Sequence, residues 1–497
     1  MFDSDVIILG AGPTGLATAK LLADKAVSVT IVDPFRVAAL FPRATHIDDE
    51  TMRTFQTLGA AHLEPGFHKP TGRYEFFNAY GQLLQAMPWR SGRTNQGWNG
   101  DYQFFQPDFE NFLRGRLHAA PTAQLLIGWR ALAVEQTADA ASVTIVNERT
   151  GQERTLTARY IVGADGARSL VRDSVSPEVT DFEATHRSLI LDIAPTNPLA
   201  VPNVTTFTAT SWNAVTVVPT AGGNIRFEFL LRADESTTDF EEPELWYRLL
   251  EPYIAPGDYR ILRADVYQWR SVLPERWRNG RLLLAGDAAH QMTPHLGQGM
   301  CSGLRDASNL AWKLAAVLRG APEALLDTYQ SERAPHVTVY IQAAAGAANA
   351  VEYLSANPGD LGDAPELRET PFPQPTLGTG VHGETEGVAG ALSIQPRLLN
   401  GQLMDDVVGY DFAVLGDASV ITAVDAATAE AWDRLGATVI TEIGLPLREW
   451  LHEHDVHAVI VRPDRYVFGG AVDAVGLERL TAQLDAAVGS QAALTSV

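Results

Sequence analysis

The sequence predicts an α/β protein in three parts: a nucleotide-binding βαβ domain, an antiparallel sheet that interrupts it, and a small α/β domain at the C-terminal end. Three observations carry this. The apolar run Val6–Leu9 leads straight into Gly10-Ala11-Gly12-Pro13-Thr14-Gly15, then helical spacing to Ala23 and a second apolar run that ends at Asp33. From Ser188 to Tyr267 the pattern alternates mostly with a period of two, as in an antiparallel sheet. After a Pro- and Gly-rich stretch, Ser355 to Gly390, strand and helix patterns alternate again.

Length and composition bound the function. A chain of 497 residues exceeds one ordinary core, so two or three domains are expected. A net charge of −22 argues against nucleic acid and anionic membrane surfaces as partners. Cys301 is the single cysteine, so no intrachain disulfide forms, and a reducing, cytoplasmic location is expected. No apolar run reaches the roughly 18 residues of a membrane span. The N-terminus enters a fold motif at once, which leaves no room for a signal peptide.

Taken in order, the first element is a GxGxxG turn with its strand, helix and acid in place. Gly10 permits the tight turn, Gly12 lets a pyrophosphate approach the backbone, and Gly15 lets helix and strand pack closely. Asp33 is placed to hold a ribose hydroxyl. The motif suits FAD and NAD alike. Arg43 follows, then a helix over Asp48 to Leu58, then an aromatic-rich excursion from about Gly72 to Asp101 that includes Tyr74, Phe76, Trp89 and Trp98. Gln106-Pro107-Asp108 opens another helix, with proline and acids in its first turn. Short strands lead to Tyr160–Val162, which ends in Gly163-Ala164-Asp165-Gly166-Ala167-Arg168-Ser169, a second acid among glycines at a strand end. In the alternating region, Pro219 to Asn224 reads as a hairpin turn and Pro243–Leu250 as a helix. A third strand, Leu282–Ala285, ends in Gly286-Asp287. A loop with Pro294, Gly297 and Gly299 then enters a helix marked by Leu304, Ala307, Leu310, Ala311 and Leu314. A carboxylate and a helix N-terminus are thereby aimed at one ligand. Leu325–Ala350 continues as helix. The C-terminal part lacks cysteine, which excludes a CxxC redox role.

GAGPTG, GADGARSLVR and GRLLLAGDAAH, in this order, resemble the FAD-dependent aromatic hydroxylase family, single-component flavoprotein monooxygenases with the p-hydroxybenzoate hydroxylase fold. PRATHIDDETMRTFQ, IRFEFLLRADE, LSIQPRLLNG, GYDFAVLG and VIVRPDRYVFGG look like its 3-(3-hydroxyphenyl)propionate hydroxylase branch, so the resemblance runs nearly to the end. It implies a Rossmann-like FAD-binding domain (1–72, 102–182 and 272–354) and a substrate-side sheet domain (73–101 and 183–271). A linker (355–396) and a thioredoxin-like domain without redox cysteines (397–497) would follow. By the same resemblance, Gly10, Gly12, Gly15 and Asp33 bind the ADP half of FAD, although the family usually has glutamate at the position of Asp33. Arg43 and Gln106 fall near the pyrophosphate and ribityl, and Asp165 in a motif shared with the reduced pyridine nucleotide. Gly286-Asp287 meets the ribityl hydroxyls and Pro294 the reactive face of the flavin. Gly297, Gly299, Met300 and Cys301 open the helix that points at the flavin edge where charge builds on reduction.

The implied reaction is hydroxylation of a phenol with dioxygen through a flavin C4a-hydroperoxide, with NAD(P)H as a transient co-substrate. The implied substrate is a 3-hydroxyphenyl-alkanoate or similar simple phenol. A polycyclic phenol of polyketide or antibiotic type is the alternative, and a non-catalytic FAD-binding protein is the alternative of another class. Tyr267, His46 and His295 are candidates for the group that meets the phenol, each also readable as structural. Arg226 is a candidate partner of a substrate carboxylate, with a surface cation near Glu228 as the plainer reading. No metal site is expected. A homodimer is compatible with the sequence.

Overall fold

The chain, seen in a computed structural model, is described over residues 2–69, 74–87, 92–197, 203–210, 214–232, 234–356, 372–383 and 387–489. Its first sheet grows from short β-branched runs that are buried on both faces, as parallel strands require. The strand order is Arg278–Asn279, Leu282–Leu284, Glu153–Gly163, Ser4–Leu9, Val29–Asp33, Ala123–Ile127. All neighbours pair in parallel except Arg278–Asn279, and the antiparallel ribbon Trp129–Gln136/Ala141–Asn147 extends Glu153–Gly163. The helices Pro13–Asp24 and Gln298–Leu318 pack on this sheet, and the second is buried along nearly its whole length.

The alternating region forms a second, seven-stranded sheet. Its order is Tyr259–Pro274, Val179–Pro195, Ile225–Leu231, Ala214–Pro219, Thr206–Ala209, Tyr74–Phe77, Leu83–Met87. Among the described residues only the Thr206–Ala209/Tyr74–Phe77 pair of this sheet is parallel. Period-two alternation gives this sheet two distinct faces. One face carries Leu189, Leu191, Val215, Val217, Ile225, Phe227 and Phe229 into a core closed by helix Pro243–Leu250. The other looks back toward the first sheet, where Leu230, Phe207, Phe76 and Tyr74 pack with Leu296 and Ala344.

The third sheet runs Thr438–Ile440, Ala413–Gly416, Ala458–Val461, Val467–Ala471, with the first pair parallel and the others antiparallel. With helices Ala426–Leu435, Leu445–Glu453 and Ala474–Val488 this is the thioredoxin-like arrangement. It is welded to the rest of the chain by buried charge. Arg462 forks onto Glu332 (3.0 and 2.7 Å), which also accepts from Lys313 at 2.8 Å, and Arg53 forks onto Asp405 (2.8 and 3.0 Å). Trp312 meets Phe412 edge-on at 5.7 Å. Residues 357–371 and 384–386 of the expected linker, and Trp89, lie outside the described residues. The rest of that stretch is a strap rather than a free spacer. Leu377, Val381, Val388 and Ile394 are buried, and the N–H groups of Val381 and Gly383 donate to Glu332 Oε1 and the Phe468 carbonyl, each at 2.7 Å. Among the described residues no helix is long and apolar enough to cross a membrane.

Candidate active site

The three glycine motifs meet because their strands are parallel neighbours in register. Leu9 pairs with Gly163 and Gly163 with Leu284, so all three strands end on one edge, where α/β sheets take ligands. The motifs touch without side chains between them. A Cβ on Gly10 would stand 2.2 Å from the Ala164 carbonyl, and one on Gly15 would stand 2.0 Å from that of Gly10. Thr14 fills a slot between the third motif and its helix. An added Cβ would lie 2.7 Å from Thr14 Oγ1 on Gly286 and 2.3 Å from it on Gly303. Gly286 also has a φ of 64°, which favours glycine. Gly12, by contrast, borders open space.

Each acid in this crevice has a different task. Asp33 Oδ2 accepts from the Ala11 N–H at 2.7 Å and Oδ1 from the Phe35 N–H at 2.8 Å, so it braces the first turn and keeps a lone pair on each oxygen. Asp165 accepts from Ser169 Oγ at 2.5 Å and the Leu170 N–H at 2.8 Å. It thereby holds Ser169, the N-cap of helix Leu170–Val175, and the helix's first N–H, and burial pushes its pKa up. Asp287 makes no hydrogen bond among the described residues. It is open to the crevice but walled by protein elsewhere, and this desolvation raises its pKa against the opposing fields of His290, Arg43 and Arg172. Asp306, which sequence reasoning missed, locks the third motif in place. It accepts from the Gly286 N–H at 3.0 Å, pairs with His290 Nε2 at 2.6 Å, and takes Arg333 Nε at 2.9 Å. Burial opposes its ionisation, yet His290 and Arg333 hold its pKa below the usual carboxylate value.

Gln106 shapes the Arg43 loop rather than reaching into the crevice. Its Oε1 accepts from the N–H groups of Arg43 (3.0 Å) and Ala44 (2.8 Å), and its Nε2 donates to Glu110 at 2.6 Å. The Arg43 side chain itself is exposed.

Helix Gln298–Leu318 starts at Gly297, whose φ is 62°, and no side chain caps it. Its first N–H groups, those of Gln298, Gly299 and Met300, therefore have no helical partner. His46 lies directly behind this start. Its Nδ1 is 3.2 Å from the Gly297 carbonyl and its Nε2 is 2.9 Å from Asp101 Oδ1. Burial alone would lower its pKa, but Asp101 outweighs this and holds it well above the usual histidine value. Cys301 is fully buried on the same side, its thiol toward the carbonyls of His46 and Gly297. The Cys301 side chain is thus turned into the protein, away from the crevice. His46 becomes a support of the helix start, not a group that faces a substrate.

Pro294 and His295 form a single turn at the mouth between the two sheets. The His295 ring lies 5.9 Å from Phe207, nearly parallel, and 6.1 Å from His186. Burial, then the neighbouring His186, lowers its pKa to about 3, and Nδ1 has no hydrogen-bond partner among the described residues. Tyr267 shares the crevice face of the second sheet, but its hydroxyl bonds to Arg263, which also lies over its ring at 4.9 Å. Arg226 requires a correction. It is buried and fully engaged, on Asp192 (2.7 and 3.0 Å) and the carbonyls of Arg43 (2.9 Å) and Pro42 (2.5 Å). It ties the sheet to the Arg43 loop and has no fork left for a substrate carboxylate.

The crevice therefore offers glycine backbone and an uncapped helix N-terminus at one end, and an acceptor carboxylate at its middle. A second helix start and an aromatic chamber complete the other end. This donor set fits a dinucleotide with a polyol link and a planar head. Residues 3–344 match the FAD binding domain model, and residues 390–487 match the HcaD C-terminal domain. The chain belongs to the FAD-dependent aromatic hydroxylase family. A probable NADH-specific resorcinol 4-hydroxylase of Rhodococcus jostii is 33% identical, over 97% of this chain and 95% of its own. A 3-(3-hydroxy-phenyl)propionate/3-hydroxycinnamic acid hydroxylase of Mycolicibacterium smegmatis is 33% identical, over 92% and 85%. The fold is that of aklavinone-11 hydroxylase, solved with FAD and aklavinone (TM-score 0.80, 21% identity, 98% of this chain and 99% of that one). FAD is accordingly the cofactor of this family member. Among the described residues no group of His, Cys, Asp and Glu is placed to hold a metal ion.

Proposed function

We propose that this chain hydroxylates a single-ring phenol, with NADH or NADPH as reductant and dioxygen as oxidant. The observation that carries the reading is the placement of the chamber. The Pro294–His295 turn and the aromatic face of the second sheet close over the edge where three parallel strands deliver their glycine motifs. The chemistry supplied by bound FAD is acceptance of a hydride and transfer of one oxygen atom of dioxygen to the ring. The protein's own residues bind, orient and shield. Gly10, Gly12 and Gly15, with the start of helix Pro13–Asp24, receive the pyrophosphate, and Asp33 the adenosine ribose. Asp287 accepts from ribityl hydroxyls. The N–H groups at Gly299 and Met300 face the edge where negative charge develops, and His46, whose pKa Asp101 raises, lies behind them and adds to that positive end when protonated. Pro294, His295, Phe207 and Phe76 exclude water from the reacting ring.

The single-ring reading is preferred because the two relatives matched over nearly the whole chain carry names of single-ring phenol hydroxylases. Support for a polycyclic phenol is a likeness of fold. A cytoplasmic location, the absence of nucleic-acid partners, a homodimer and the domain boundaries at residues 72, 101, 182, 271, 354 and 396 complete the proposal. Purified protein should be yellow, and its NADH oxidation should accelerate with one member of a panel of simple phenols. A colourless protein that binds no FAD, or a flavoprotein indifferent to every phenol, contradicts the reading.

A further inference from the structure

We propose that Glu228 is the substrate-recognition residue of this chamber: it accepts a hydrogen bond from a hydroxyl of an uncharged dihydric phenol and discriminates against phenols that carry a carboxylate. The proposal rests on the phenol-hydroxylase reading above.

The direction of Glu228 follows from its strand. In Ile225–Leu231, Ile225, Phe227, Phe229 and Leu231 enter the outer core, so Arg226, Glu228 and Leu230 face the crevice. The two neighbours on that face mark its limits. Arg226 bonds the carbonyls of Pro42 and Arg43, and Leu230 packs in the cluster that holds Leu296, next to His295. Glu228 therefore stands midway between the Arg43 loop and the Pro294–Leu296 turn. Across the sheet its partners in register are Thr216 and Ile190, and Thr216 in turn pairs with Phe207, the residue beside the His295 ring.

In this place Glu228 is half-buried and makes no hydrogen bond or ion pair with any described residue. Buried carboxylates are normally paired. The two cations nearest to it are closed. Arg226 is engaged as described, and Arg263 bonds Asp265 (2.6 Å), the Pro42 carbonyl (2.9 Å) and the Tyr267 hydroxyl. Among the other groups near the chamber, His295 is held neutral and His186 is turned to Glu352 at 3.8 Å. Arg43 sits at the exposed rim, where its field falls on Asp287 and Glu110. Among the described residues Glu228 is thus an acceptor without a donor, and the two cations that act on it, Arg226 and Arg263, are already bonded elsewhere. A neutral hydroxyl satisfies Glu228, whereas a substrate carboxylate would meet like charge in a desolvated site. Burial also raises the pKa of Glu228, which a second carboxylate would push further up.

The test uses the full-length FAD-loaded protein and two probes that share a phenol, resorcinol and 3-(3-hydroxyphenyl)propionate. Binding is read from the perturbation of the flavin spectrum, and coupling from stimulated NADH oxidation. The wild type is expected to bind resorcinol at least about tenfold more tightly than the carboxylated phenol, as one hydrogen bond to a charged group implies. Glu228→Gln is isosteric and should reverse the trend, weakening resorcinol roughly tenfold or more and improving the carboxylated phenol. Glu228→Asp should restore part of the wild-type ratio, and a merely structural role would leave that ratio unmoved. A wild type that prefers the carboxylated phenol, or a Glu228→Gln ratio equal to wild type, overturns the proposal. If neither probe perturbs the flavin or stimulates NADH oxidation while another simple phenol does, this proposal falls alone; if no phenol of the panel does, the phenol-hydroxylase reading falls and takes this proposal with it.

Discussion

Asp287→Ala separates cofactor binding from folding. Its carboxylate has no partner among the described residues and is partly desolvated, so the flavin-free protein loses nothing when it is removed. The FAD-bound protein loses a charged acceptor for ribityl hydroxyls. A hydrogen bond to a charged group contributes about 1.5–3 kcal/mol. At about 1.4 kcal/mol per tenfold, the dissociation constant of FAD should rise roughly 10- to 150-fold. Asp287→Asn, which keeps an acceptor oxygen without the charge, should fall between. Titration of FAD into flavin-free protein, followed by fluorescence quenching, gives the constants, and thermal unfolding of the same samples gives the control. An FAD affinity within about twofold of wild type refutes the role of Asp287. A fall in the melting temperature of the flavin-free protein refutes the claim that its carboxylate serves the ligand alone.

Other substitutions test the frame around the site. Arg226→Ala leaves the buried Asp192 with only the longer contact to Arg263, 3.9 Å, and should destabilise the protein by about 3–5 kcal/mol, measured by denaturant unfolding. An unchanged midpoint, with only the KM for substrate raised, would restore Arg226 as a substrate ligand. Gly303→Ala drives a methyl group against Thr14 and should cost about 1–3 kcal/mol together with a loss of retained FAD; normal flavin content would show that the slot yields. His46→Gln removes from behind the Gly297 helix start the ring whose protonated form Asp101 favours, and should lower the midpoint potential of the bound flavin, read by equilibrium dye reduction. An unchanged potential would leave His46 a packing residue. For His295 the folded pKa, about 3, lies below the unfolded value of 6.5, so between them only the unfolded chain binds the proton. Its contribution to stability is present above about pH 6.5 and is lost as pH falls toward 3. In His295→Phe the melting temperature should fall less between pH 7 and pH 5 than in wild type, and parallel slopes would contradict the burial of a neutral ring.

The parts of this fold set by local pattern were readable in the chain. Val6–Leu9 with its glycines and the strand–acid–helix unit around Asp287 each declare themselves within about thirty-five residues, and the period-two run behind most of the second sheet within about eighty. What the chain conceals is partnership across long separations. Arg226 looked available because Glu228 lies two residues away, but its partners are Asp192 on the next strand and the carbonyls of Pro42 and Arg43. His46 looked like a candidate base until the pairing of His46–Asp48 with Asp101–Gln103 set Asp101 beside it. Asp306 and Gly303 lie in an unremarkable helical stretch, and only the approach of Gly286 and Thr14 gives them a task. Glu228 was named only as a neighbour, because alternation shows which residues share a face but not which face meets the crevice.

The central claim is that the crevice and the facing sheet together hold FAD against a phenol and hydroxylate it. Turnover with NADH, the preferred phenol and isotopically labelled dioxygen, with the product weighed by mass spectrometry, tests this most directly. The account predicts one labelled oxygen atom in the ring product, with NADH oxidation that depends on the phenol. An unlabelled product, or NADH oxidation that yields only reduced dioxygen whichever phenol is present, would contradict it.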